Sequence, residues 1–202
     1  MLKFFNKSRL IKLESFLEDT IPIANSKFKN IGEYYQAICK RHNIINAPKI
    51  VVKKDFPFSG AVTEYNTIVL GVPNLDMLSD TEKRAVVMHE LGHILRGDMG
   101  SSKRAYEYAA DRLSIALLGR KSPIISVINK THKVFEQEMI ELKNSEHPIF
   151  RIISYILKSR MEKTYGTHAE RIANIERSSI NIQKTNLQKL LEKRRNTQDI
   201  QR

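Results

Sequence analysis

One pentapeptide constrains this chain more than any other stretch: His89-Glu90-Leu91-Gly92-His93. Two histidines four positions apart on a helix are separated by about 40° around its axis, so both imidazoles reach a common point. Glu90 projects about 100° away from His89. It stands outside the sphere the histidines share, where it can hold a water molecule against a metal. Two nitrogen ligands, a water and a carboxylate to take its proton are the parts of zinc-assisted hydrolysis. The pattern needs a helix, and the flanks supply one. Ser79 and Glu82 form a Ser-x-x-Glu capping signature at its start, Val86, Val87 and Ile94 offer apolar positions, and Gly97 stands where a helix stops.

A second helix is expected from about Lys103 to Leu118, capped by Ser101-Ser102 and closed by Gly119. Glu107 and Asp111, four apart, share one of its faces. Ala109 and Ala110 between them leave little bulk, which lets this helix approach the first closely. Hydrolytic zinc sites commonly take two histidines and one glutamate, with water in fourth place. Glu107 is then the third ligand, and Asp111 can accept the other ring N–H of a zinc histidine. The competing reading is a solvated acidic face paired with Lys103 or Arg112.

The rest of the chain bounds the setting. Its 202 residues suit one domain with appendages, and 41% apolar content can build a core. The single cysteine, Cys39, excludes an internal disulfide and a Cys-rich zinc site, and its helical surroundings suit a buried small hydrophobe. The net charge of +12 is concentrated at the ends, with +4 in residues 1–13 and +5 in residues 177–202. Such ends can touch nucleic acid, anionic membrane or an acidic partner. No apolar stretch approaches the ~18 residues of a membrane span, and no signal peptide is visible. The expectation is a soluble cytoplasmic protein. It divides into a basic amphipathic segment (1–29), a central domain (30–176) and a basic tail (177–202), peripheral or partly disordered.

In order, the chain suggests an amphipathic helix at 7–19 and a helix from 30 to 42 opened by an Asn30/Glu33 capping pair. A strand at 49–53 follows, then a hairpin pairing 61–64 with 67–72 across Tyr65-Asn66. A strand just ahead of the metal helix can offer its edge to an extended peptide. Helices are expected at 123–142 and at 149–161, the latter burying Ile152, Ile153, Ile156 and Leu157. A short helix capped by Thr167 carries His168 and Arg171.

The run from Leu78 to Asp98, followed by Glu107-x-x-Ala110-Asp111, resembles the HtpX and CAAX-prenyl-protease group of gluzincin metallopeptidases. It looks closest to compact minigluzincin-like members without membrane helices, over roughly residues 48–176. The resemblance implies an α+β, mainly helical zincin-like fold, with a small antiparallel sheet beside the two helices. It implies one Zn2+ held by His89, His93 and Glu107, with Asp111 orienting a histidine. Glu90 would act as general base and then proton donor, on a protein or peptide substrate. The family's Thr-His-Pro segment followed by Arg-Ile has two matches here. One is Thr167-His168-Ala169 with Arg171-Ile172, where alanine replaces proline, and the other is His147-Pro148 with Arg151-Ile152. His168 or Arg171 would face the scissile carbonyl, or Arg171 would pair with an acid. The alternative function is a non-catalytic zincin-fold binding protein whose basic tail docks on nucleic acid or an acidic partner.

Overall fold

The computed structural model describes residues 17–56, 59–62, 65–98, 103–145 and 148–199. Strand β1 (Thr20–Pro22) leads through a 3-10 turn (Ile23–Asn25) into helix α1 (Lys29–Arg41). Strands β2 (Lys49–Lys53), β3 (Ser59–Val62) and β4 (Thr67–Gly71) follow. Helices α2 (Val72–Asp76), α3 (Asp80–Arg96), α4 (Arg104–Leu118), α5 (Ser122–Lys143), α6 (Pro148–Tyr165), α7 (His168–Arg177) and α8 (Ile180–Asp199) complete the chain. This is the expected α+β, mainly helical class. Among the described residues, no helix is long and apolar enough to cross a membrane.

The sheet is mixed, not antiparallel as the family resemblance implied. Its strand order is β1-β2-β4-β3, and β2 runs parallel to β4. The expected β3–β4 hairpin is present, with Ala61 opposite Ile68 and Asn66 in the left-handed region at φ 48°. The hairpin folds so that β4 enters between β2 and β3. That makes β4 the central strand, and all five of its residues are buried. β3 is left at the edge, packed beside α3.

α3 is the structural centre. Ser79 Oγ accepts from Glu82 N, and Glu82 Oε2 accepts from Ser79 N at 2.7 Å, so the capping box is complete. Gly97 closes the helix at φ 70°. Buried residues surround α3 on all sides, as expected for a helix enclosed by others. It meets α1, α4, α5, α8 and the sheet. Its closest crossing is with α4. A Cβ on Gly92 would stand 3.1 Å from Ala110 Cα, so only glycine permits this approach.

Several expectations change. Asn30 and Glu33 do not cap α1, whose N-cap is Phe28 without a side-chain bond; Asn30 Nδ2 donates to Asp80 Oδ2 instead. The N-cap of α4 is Lys103, and Ser101-Ser102 lie outside the described residues, as does nearly all of the 7–19 segment. Residues Ile152, Ile156 and Leu157 of α6 are exposed, because α6 turns a different side to α5. The segment set apart as a tail is α8, a core helix: Leu187 and Leu191 are buried against α4 and α3. Its Arg194 donates to the carbonyls of Ile94 and Leu95 at 2.7 and 2.8 Å, capping the last turn of α3. Residues from Ile23 and Phe28 onward belong to the same core.

Candidate metal centre

The crossing of α3 and α4 brings His89, His93 and Glu107 together. His89 Nε2 and His93 Nε2 lie 3.2 Å apart, with their rings nearly perpendicular at 84°. Glu107 Oε2 is 3.3 Å from His89 Nε2, and its Oε1 is 3.6 Å from His93 Nε2. One ligand atom from each residue falls within 4.8 Å of the others. A tetrahedral ion with bonds of about 2.0–2.1 Å places its donors about 3.3 Å apart. The three side chains therefore form a group that could hold a metal ion.

Both histidines are held from behind by carboxylates. His89 Nδ1 lies 2.9 Å from Asp111 Oδ1, a short contact set off the line of the ring N–H. His93 Nδ1 lies 3.1 Å from Asp98 Oδ2. A carboxylate at Nδ1 fixes the tautomer and leaves the Nε2 lone pair free for an ion. Asp98 was not singled out from the sequence. Its signal was the Gly97-Asp98 exit: left-handed Gly97 reverses the chain, Asp98 N bonds His93 O at 3.0 Å, and the Asp98 side chain returns to its histidine.

The electrostatics fit a cation. Glu90, Glu107 and Asp111 are buried, and Asp98 is nearly so. Against these four acids stand Arg171 at Asp111 and Arg96, whose Nε is 3.2 Å from Asp98 Oδ2. Burial would lower the His89 imidazole, but Asp111 and Glu107 drive it up to about 10. Burial would raise Glu107, but His89, Arg171 and His93 hold it down at about 2. Glu90 is shifted the other way. Burial and Glu107 raise its carboxyl above the usual range, against the pull of His89, His93 and Arg171.

The two candidates for the carbonyl-facing role part company. Arg171 grips both oxygens of Asp111 at 2.7 and 2.8 Å and comes within 3.6 Å of Glu107 Oε2. It reaches the centre by pairing with acids, the second of its two expected roles. His168 is directed to α5: its Nε2 lies 2.7 Å from Asn129 Oδ1, and its ring stacks on His132. That correction has a local cause, since His168 opens α7 directly over α5. In the rival match, Arg151 is exposed and donates to Ser145 O. Tyr165 was overlooked. Burial first, then Glu107 and Glu90, raise its phenol, while Arg171 lowers it, which places it in the field of all three. Its position at the end of α6 gave no periodic signal.

No family model, curated protein or solved structure matches the chain. Fold and site alone define a mainly helical α+β protein with a buried His-His-Glu group able to hold a metal ion.

Proposed function

We propose that this protein is a zinc-dependent metalloendopeptidase, with His89, His93 and Glu107 as the ligands of one Zn2+. The observation that carries the reading is the convergence of two Nε2 atoms and one carboxylate, each histidine backed by an acid, with buried Glu90 beside them. A site serving only structure has no use for Glu90. Zinc bound there would supply Lewis-acid chemistry, polarising a carbonyl and acidifying a water.

The chain's own groups do the rest. Glu90 takes the proton of the attacking water and returns it to the departing amide nitrogen. A carboxyl raised by burial is suited to both transfers. Glu107 stays charged as a ligand. Asp111 and Asp98 hold the rings, and Arg171 fixes Asp111. His168 is directed to Asn129 and does not face this carbonyl. An extended substrate can add to the edge of β3 beside α3.

The test is metal analysis together with mass-spectrometric mapping of cleavage in a peptide library. Glu90→Gln should keep its metal and lose hydrolysis, and Glu107→Ala should lose the metal. Undiminished cleavage by Glu90→Gln would overturn the mechanism.

A further inference from the structure

Among the described residues, α6 carries an exposed apolar stripe on its outer side. Ile149, Ile152, Tyr155 and Ile156 are 68, 60, 78 and 56% exposed. At about 100° per residue they fall within about 120° of one another, a single stripe. Ser154, on another side of the helix, is buried toward the protein. α6 packs on α5 and, more thinly, on α4.

Basic residues frame the stripe. Arg151 and Lys158 run along one margin, Arg160 along the other, and Lys163 continues it; all four are exposed. Against Glu162 alone they give the helix a charge of +3. No ion pair among the described residues engages any of the four. An isolated apolar stripe with flanking lysines and arginines is the pattern of a helix that lies in a membrane interface, its basic side chains reaching to the headgroups.

Charge selects among the possible occupants. A second copy would set one +3 helix against another. A hollow beside α6 is lined by Phe150, Glu138 and Glu141. Phe150 projects about 160° from Ile152, so that acidic hollow opens on the other side of the helix. We propose that the outer face of α6 docks on anionic lipid membranes, with Ile149, Ile152 and Ile156 entering the interface. The chain then binds a membrane surface without spanning it, and does so independently of the metal centre.

Vesicle flotation of the full-length protein tests this. Phosphatidylcholine vesicles containing phosphatidylglycerol should carry the protein at low salt and release it at high salt, and phosphatidylcholine alone should not carry it. Ile152→Glu/Ile156→Glu should cut the bound fraction about tenfold or more, because two charges would enter the apolar boundary. Lys158→Glu/Arg160→Glu should reduce binding through the charge alone. All four positions are exposed, so circular dichroism should match wild type. Equal flotation of the Ile152→Glu/Ile156→Glu protein would assign binding to the basic ends and overturn the proposal. So would absence of flotation on anionic vesicles. A wild-type dimer that this variant makes monomeric by light scattering, or capture of an acidic peptide without flotation, would assign the face to protein contact instead.

Discussion

Glu90 and Glu107 sit against the same two histidines and are driven in opposite directions. Glu107 is held down at about 2 by His89, Arg171 and His93 despite its burial. Glu90 is raised by burial and by Glu107 itself. In the proposed mechanism this separation makes Glu107 the permanent anion and Glu90 the proton carrier. The acids behind the histidines can be separated experimentally. Asp98→Ala should weaken metal binding by about 10–100-fold, read by competition with a chelator. Asp111→Ala should do the same and also lower stability, because Arg171 loses both of its hydrogen bonds to Asp111 and keeps only Glu107 at 3.6 Å. Equal stability loss in both variants would contradict this division.

Between elements, the fit of α3 to its neighbours sets the site. Gly92→Ala gains helix propensity of up to about 1 kcal/mol. It also forces a methyl to within 3.1 Å of Ala110 Cα and 3.2 Å of its carbonyl, and backbone yields poorly. Overpacking of about 1–3 kcal/mol should win, and separating α4 from α3 should carry Glu107 away from His93. Both melting temperature and metal affinity should fall. At the other end of α3, Glu82 is the cap residue and also an ion-pair partner: Lys130 Nζ lies at 2.8 Å and Ser126 Oγ at 2.6 Å. Burial would raise its carboxyl, yet Lys130, Ser126 and Ser79 bring it from 4.5 to about 2. Its stabilisation is thus complete above about pH 4.5 and lost as pH falls through about 2. Chelated wild type should be more stable than Glu82→Gln at neutral pH, and the gap should close across this acid window. These caps were readable because capping is local: Ser79 and Glu82 carry the whole signal within four residues. The same spacing misled at Asn30/Glu33, where Phe28 starts the helix and Asn30 is drawn to Asp80. The parallel β2–β4 pairing had no local signal, since it depends on where the β3–β4 hairpin swings.

Across the whole molecule, the group that could hold a metal ion was legible because helical spacing alone aligns His89 with His93 and Glu107 with Asp111. Membership of the core was not. The α6 isoleucines and the α8 leucines look alike in sequence, and only packing decides that Ile152 faces outward while Leu187 is fully buried. The basic composition of residues 177–202 therefore concealed a structural element. α8 buries Leu187 and Leu191 against the helices that carry the His-His-Glu group, and Arg194 ties two carbonyls just beyond His93. A removable tail and a core helix predict different outcomes. Leu187→Ala should cost about 2–5 kcal/mol in chemical denaturation, the range for a buried leucine truncation. Arg194→Ala removes two charged hydrogen bonds of about 1.5–3 kcal/mol each and frees the turn that holds Asp98 to His93, so stability and metal affinity should drop together. Deletion of residues 178–202 should abolish both the cooperative unfolding transition and metal retention. A deletion protein that still melts cooperatively and keeps its metal would show that the centre is complete without α8.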